Sequence, residues 1–245
     1  MPKFVPVDVA TRETLEFLTS HLGVGATILE VGCGDGRVAS RLLKQGYRVT
    51  GLDSKSDMIV KARARHVPTV VASWPKFDTN VAFDAIAFTR SLHHINPLSE
   101  AIHRARELLN PKGLLLIEDF APDEVNEATV DWFVKVLRSE QAKALITLLE
   151  GQIATELLCA TDVMQKWRQI RGHDLHSFAF MSEVIAEQFL IRENQSVSYF
   201  YRYLIPVLPN TSAAASFVDK ICQQERFLSQ RGEIMALGRR IIASN

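Results

Sequence analysis

Three glycines, Gly32, Gly34 and Gly36, stand at alternate positions in "ILEVGCGDGRVASRLLKQG", between an apolar run and an amphipathic one. Without a Cβ the chain turns sharply there and lets a ligand approach the backbone, and the following helix N-terminus offers unsatisfied N–H groups to an anionic group. Asp53 lies 17 residues after Gly36, at the end of the next apolar run, where a carboxylate accepts hydrogen bonds from both hydroxyls of a ribose. The loop reads G-x-G-x-G and departs from the G-x-G-x-x-G that seats a pyrophosphate, so a nucleoside with an anionic tail fits better than a dinucleotide. A dehydrogenase is disfavoured on the same ground.

Groups able to move protons follow further along. His93 and His94 come directly after the run "FDAIAFT", and Glu118 and Asp119 end "LLLIEDF". Strand alternation sends the two carboxylates to opposite sides, and Asp119 is the one preferred for the pocket. "WRQIRGHDLHSF" adds Trp167, His173, Asp174 and His176, either as a general base or as hydrogen-bonding groups that fasten one segment to another. Tyr199, Tyr201 and Tyr203 fall on one face if "VSYFYRYLI" is a strand. Histidine and carboxylate together suit a divalent ion, but their spacing here matches no metal motif, and no metal is expected.

Positioning these groups requires a sheet. From Thr27 to Ala121 short apolar runs alternate with helical patterns, which predicts parallel strands covered by helices. The strands are "TILEVG", "YRVTGLD", "TVVAS", "FDAIAFT" and "LLLIEDF". "RVASRLLKQG" makes the first helix, stopped by Gly46; "SKSDMIVKARAR" has serines to cap it, and "PLSEAIHRARELL" carries Leu98, Ile102, Ala105 and Leu109 on one stripe. "NPKG" is read as the turn into the fifth strand. After Pro122 helical periodicity runs on without a convincing strand, which predicts a helical cap over residues 123–176, inserted in a domain formed by 1–122 and 177–245. Two strands, "LIRENQ" and "VSYFYRYLI", then a helix from about Thr211 to Ala243, are expected to complete the chain.

Of 245 residues, Lys plus Arg and Asp plus Glu each number 28, and 47% are hydrophobic. The balance gives no global field toward nucleic acid or an anionic membrane. Three cysteines far apart fit neither a disulfide framework nor a zinc site, which suggests a reducing compartment. No apolar run reaches the roughly 18 to 20 residues of a membrane span, and "MPKFVPVDVATRETLEF" lacks a signal-peptide core, so a cytoplasmic location is expected.

The ordered segments "ILEVGCGDG", "VTGLDSKSDMI", "VVASWP", "FDAIAFTRSLHHI" and "LNPKGLLLIEDF" resemble the class I S-adenosylmethionine-dependent methyltransferases, especially their small-molecule branch. The resemblance covers about residues 27 to 121. It implies an α/β, Rossmann-like doubly wound sheet of seven strands, the last antiparallel, and S-adenosylmethionine as cofactor, with S-adenosylhomocysteine as product. It also implies that Gly32, Gly34 and Gly36 frame the methionine part while Glu30 braces the loop. Asp53 would hold the ribose, Ser54 and Met58 would flank the adenine, and Ser73 and Trp74 would close its edge. Thr89 and Arg90 would present backbone carbonyls to the cofactor's amino group. Ser73 stands where many members carry Asp, which shifts adenine recognition toward backbone or Trp74.

On this reading the chain methylates a small-molecule acceptor enclosed by the cap, as a monomer or a homodimer, with His94, Asp119, His173 and His176 as candidate proton-transfer groups. A non-catalytic cofactor sensor is the alternative from the binding class. An RNA or protein methyltransferase is a further one, against which stand the neutral charge and the lack of N-P-P-Y or a similar motif after the fourth strand.

Overall fold

A computed structural model describes residues 4–171 and 175–245. It opens with a helix that the sequence reading did not anticipate, α1 (Pro6–Thr19), followed by β1 (Thr27–Val31), α2 (Arg37–Lys44), β2 (Arg48–Asp53), α3 (Ser56–Ala64) and β3 (Thr69–Val71). Next come β4 (Phe83–Thr89), α4 (Leu98–Leu108) and β5 (Leu109–Phe120). The helices α5 (Glu127–Leu137), α6 (Glu140–Lys143), α7 (Ile153–Leu158), α8 (Val163–Arg171) and α9 (Phe178–Ala186) lead to β6 (Leu190–Val197), α10 (Ser212–Gln230) and β7 (Gly238–Ser244).

The seven strands form one mixed sheet in the order β3-β2-β1-β4-β5-β7-β6, with the last strand antiparallel. β1 pairs in parallel with both β2 and β4, so the strand order reverses beside it. Crevices beyond the C-terminal ends of strands at such a reversal are where open α/β sheets bind ligands. The central strands read as continuous apolar runs because they are covered on both faces. Ile28 and Leu29 in β1, and Ala85 to Phe88 in β4, have no exposed surface. Leu15, Phe17 and Leu18 of α1, Val38, Ala39 and Leu42 of α2, and Ile242 of β7 pack in the same cluster. Each fully buried Leu or Ile there is worth roughly 1.5–3 kcal/mol.

β5 begins earlier than expected. Phe83 of β4 faces Leu109 and Ala85 faces Leu114, so Asn110 to Gly113 form a loop-out within the strand instead of a turn before it. Asp84 fastens this irregularity by accepting from Asn110 Nδ2 at 2.7 Å and from the Thr27 amide at 2.8 Å. The Thr27 amide, then Asn110, hold the Asp84 carboxyl below its ordinary pKa.

Two expectations for the C-terminal third are corrected. "VSYFYRYLI" is not a strand: β6 ends at Val197, and Phe200–Val207 is a 3-10 helix. The buried Glu225 carboxylate of α10 turns the chain there, accepting the amides of Tyr199 (2.6 Å), Phe200 (3.0 Å) and Tyr201 (3.1 Å). Three amides that converge on one carboxylate cannot also serve a strand ladder. The final helix stops at Gln230, Gly232 follows with φ +71°, and the chain re-enters the sheet as β7.

The chain divides into two compact units. One comprises Glu13–Phe120, Leu175–Gln195 and Arg239–Asn245. The other comprises Met1–Arg12, Ala121–Asp174 and Ser196–Gly238, so most of the segment expected as an inserted helical cap over 123–176 is grouped with Met1–Arg12 and Ser196–Gly238. Aromatic packing explains the grouping: Phe200 lies 5.1 Å from Phe133 and 5.2 Å from Trp167, ring centre to ring centre, and Tyr203 packs edge-on against Phe133, Trp167 and Phe200. No described helix is long and apolar enough to cross a membrane.

Candidate functional site

A cleft of about 690 Å³ opens at the strand-order reversal of the first-described unit. Its walls come from the ends of β1 (Val31, Gly32, Gly34), β2 (Leu52 to Lys55) and β4 (Arg90, Ser91), with Met58 of α3 and the stretch Ala72 to Trp74. His94, Ile95 and Asn96 complete them.

The glycine loop is shaped by two different constraints. At Gly32 a Cβ would stand 2.4 Å from the Ser91 Cβ, while the Ser91 hydroxyl donates to the Val31 carbonyl at 2.6 Å. The β4 end therefore closes over the β1 end so tightly that only glycine fits between them. Gly34, by contrast, faces open space, and its φ of +53° together with its amide, given to Asp53 Oδ2 at 2.9 Å, sets its role. Asp53 Oδ1 accepts the Lys55 amide at 2.9 Å, which replaces the serine cap expected for α3. A carboxylate offers about four acceptor positions, so two remain for a vicinal diol.

Beneath the loop, Glu30 is buried and its carboxyl accepts from the Thr89 hydroxyl at 2.9 Å. Burial raises its pKa to about 7, against the opposing pull of Thr89 and of the Arg90 charge. Cys33 is also buried inside the loop, and desolvation, then the charges of Glu30 and Asp53, push its thiol up to about 12.

The sequence-predicted residues thus fall into three groups. Gly32, Gly34, Asp53, Ser54, Met58, Ser73, Trp74, Arg90 and His94 line the cleft. Glu30, Gly36 and Thr89 lie behind it; a Cβ on Gly36 would meet Ala62 at 2.7 Å, so this glycine serves helix packing. The third group is set apart. Asp119 has no exposed surface and is occupied by the His93 Nδ1 at 2.6 Å and by the Phe120 amide at 3.0 Å, so the carboxylate preferred for the pocket instead orients the buried imidazole. Glu118 is equally buried, and neither acid lines the cleft. His176 bonds the Ile95 carbonyl through Nε2 at 3.0 Å and gives its amide to the His93 carbonyl, which is a fastening role. His173 lies outside the described residues.

Trp74 needs a correction in its mode of action. Its indole N–H donates to the Ala101 carbonyl at 3.0 Å, and its ring stands edge-on to Phe88. The indole can offer a base its apolar surface, not its donor. Tyr199, Tyr201 and Tyr203 are not a strand face; Tyr199 and Tyr201 are buried, and Tyr199 packs edge-on against Tyr203. Sequence reasoning missed Ser91, Ile95, Asn96 and Lys55, whose part is set by the close approach of β4 to β1 and by the 3-10 turn Leu92–His94. The repeated small and polar residues of "TRSLHHIN" were the one available signal.

His94 lines the cleft and is the accessible member of a tilted histidine pair, its ring centre 4.1 Å from that of the buried His93 at an interplanar angle of 50°. Desolvation, then the neighbouring His93 and the Lys55 charge, lower its pKa against the pull of Asp119. Neutral imidazole at physiological pH keeps a lone pair for accepting a proton.

A glycine loop and an acidic strand end, joined by a hydrogen bond at the switch point of a 3-2-1-4-5-7-6 sheet, define a Rossmann-like nucleoside-binding protein. Residues 5–150, more than half of the chain, match the family model described as a methyltransferase domain, so the chain belongs to the class I S-adenosylmethionine-dependent methyltransferases. An uncharacterized methyltransferase from Mycobacterium tuberculosis is 32% identical over 102 residues, 38% of this chain and 50% of that protein. The ubiquinone biosynthesis O-methyltransferase of Paramagnetospirillum magneticum is 29% identical over 157 residues, 56% of this chain and 61% of the relative. The chain spans about half the length of the first curated relatives it matches. Among solved structures, the N-methyltransferase NodS from Bradyrhizobium japonicum, in complex with S-adenosylhomocysteine, superposes with a TM-score of 0.54 at 16% identity, over 97% of this chain and 86% of that one. That likeness concerns the fold.

Proposed function

We propose that the chain transfers a methyl group from S-adenosylmethionine to a small-molecule acceptor. The observation that carries this reading is the Gly34 amide on Asp53 at 2.9 Å, in a cleft whose wall also holds His94. The donor set fits the cofactor. Asp53 has acceptor capacity left for a ribose, Leu52, Met58 and the Trp74 ring offer apolar surface to adenine, and Gly34 leaves room at backbone distance. With the Trp74 indole N–H committed to Ala101, the polar edge of the base falls to the Ser73 hydroxyl and to backbone.

When bound, the cofactor supplies an electrophilic sulfonium methyl. The protein's own part is to align the acceptor and exclude water, and alignment of this kind is worth roughly 7–11 kcal/mol. His94 takes the proton of a hydroxyl or amine acceptor at an imidazole nitrogen. His93, held by Asp119, fixes the ring behind it.

Two measurements test the reading. Calorimetric titration with S-adenosylhomocysteine should give a saturable isotherm; folded protein that shows no heat at millimolar ligand would sink the proposal. His94→Gln should lower kcat with an oxygen or nitrogen acceptor by about 10²- to 10⁴-fold, while binding S-adenosylhomocysteine within about threefold of the parent. The parent's rate should fall on acidification, with its midpoint below the ordinary histidine value of 6.5, because protonation removes the lone pair. An unaltered rate in the variant removes His94 from the mechanism.

A further inference from the structure

The 3-10 turn Leu92–His94 carries the imidazole of the cleft, and little of what fixes it lies inside the turn. Its own bonds run from the His94 amide to the Ser91 carbonyl at 3.2 Å and from the Ile95 amide to the Leu92 carbonyl at 3.0 Å. Bonds of this geometry are poorer than those of an α-helix, which is why 3-10 runs stay short. Leu92 and His93 are buried, whereas His94 is exposed to the cleft. The His94 ring makes no hydrogen bond to the described residues, so its direction depends on how the backbone beneath it is held.

Two partners from elsewhere in the same unit hold it. The buried Asp119 of β5 grips His93 twice, at the ring Nδ1 (2.6 Å) and at the backbone amide (3.4 Å). The His93 ring also stands edge-on to Phe120, 4.7 Å between ring centres. The second partner is His176, which takes the carbonyls on both sides of His94: its amide donates to the His93 carbonyl and its Nε2 to the Ile95 carbonyl, each at 3.0 Å. A carbonyl only accepts, so this bond requires the hydrogen on Nε2. His176 is itself anchored at the start of α9. Ser177 caps that helix, its hydroxyl accepting the Phe180 amide at 3.2 Å, and the Phe180 ring packs 5.5 Å from the His176 imidazole, centre to centre. Met181 and Ile185, with no exposed surface, seat the helix in the core. Both bonds of His176 go to peptide groups next to His94, so His176 acts on that ring through the backbone.

We propose that His176 is a positioning residue for His94, clamping together with Asp119 the turn that aims this imidazole into the cleft. The inference rests on the reading of His94 as proton acceptor given above. A base has to be held within about 0.5 Å and 10–20° of its working geometry, and a misplacement of about 1 Å can cost about 10²-fold in rate. A single 3-10 turn is too soft for that by itself, and the two clamps supply the stiffness it lacks.

The unliganded protein suffices for the test, so no methyl acceptor is needed. NMR titration of the His94 ring should give a midpoint below 6.5, set by the groups that face it: His93 of its own turn, Lys55 at the cap of α3 and Asp119 of β5. His176→Ala removes the bond to the Ile95 carbonyl and leaves those three groups in place. With the clamp opened, the midpoint should rise toward 6.5, and hydrogen exchange of the Ile95 amide should quicken about 3- to 10-fold, as for the loss of one hydrogen bond. His176→Gln keeps a side-chain N–H donor and should recover much of both. An unmoved midpoint in His176→Ala overturns the inference, as does a midpoint that rises equally in His176→Gln. Should His176→Ala fail to fold, the unaltered protein still decides. The ring nitrogen chemical shifts of neutral His176 should mark Nε2 as the protonated nitrogen, and an Nδ1–H tautomer, leaving the Ile95 carbonyl without this donor, overturns the inference. If His94 is not the proton acceptor, the His94→Gln rate shows it independently of the clamp.

Discussion

Asp53→Ala is expected to raise the dissociation constant for S-adenosylhomocysteine by about 10²- to 10⁴-fold, because on the proposed reading it would remove two charge-assisted hydrogen bonds of roughly 1.5–3 kcal/mol each to the ribose. Part of the loss comes through the loop. Without the carboxylate, the Gly34 amide has no side-chain acceptor, and the left-handed turn at φ +53° loses its anchor. Unliganded stability should change little, since Asp53 is half-exposed and water can take over its two amides. Calorimetry and thermal denaturation on the same variant separate the two effects. An increase below threefold in the dissociation constant would remove Asp53 from ribose binding. Asp53→Asn should fall between, since an amide keeps one acceptor oxygen but repels with its NH₂ group where a hydroxyl or a backbone amide donates.

Glu225→Ala is the largest expected effect on stability. The substitution would strand the amides of Tyr199, Phe200 and Tyr201, each buried group losing about 1–3 kcal/mol. The melting temperature of the unit containing α10 should drop by about 10 °C or more, at about 2–4 °C per kcal/mol for a chain of this size. A drop under about 3 °C would show that the 3-10 helix is held by something else. Glu225 also carries a pH signature. Burial raises its pKa to about 7, against the opposing pull of the three amides and of the Arg202 charge, so the folded chain keeps a proton that the unfolded chain releases near 4.5. Its contribution is fully present below pH 4.5 and is lost as pH rises to about 7, with an upper bound on the order of 3 kcal/mol. Glu30, also raised to about 7 by burial, adds a slope of the same sign in the unit that holds the cleft. Glu225→Gln should flatten the first slope and leave the second.

The cleft was legible in the sequence where backbone geometry dictates residue type. Glycines at 32 and 34 and the acid at 53 follow from the tight turn and from the Gly34 amide that Asp53 accepts, and the apolar runs of β1 and β4 follow from burial on both faces. Illegible were the features decided by partners distant in sequence. "SYFYRYL" has strand composition, yet Glu225, more than 20 residues later, folds it into a 3-10 helix. Asp119 looked like a cleft acid by its place at a strand end, until the pairing with His93 across 26 positions claimed it. "LGRRIIAS" carries strand residues, but the long helical period before it masked the change, and β7 was read as helix. Glu118 gave no sign of serving two arginines, one of them 122 positions away.

The thiol inside the glycine loop has a consequence for chemical durability. Cys33 stands between two glycines that line the cleft, yet it is buried and is not itself part of the cleft wall, whereas an exposed thiolate beside an alkylating sulfonium would be open to methylation. Burial, then the charges of Glu30 and Asp53, push the Cys33 thiol up to about 12, which disfavours the thiolate, and its sulfur packs toward Gly51, where a Cβ would approach it to 2.8 Å. The same burial that packs the loop onto β2 therefore keeps this thiol in its less reactive, protonated form.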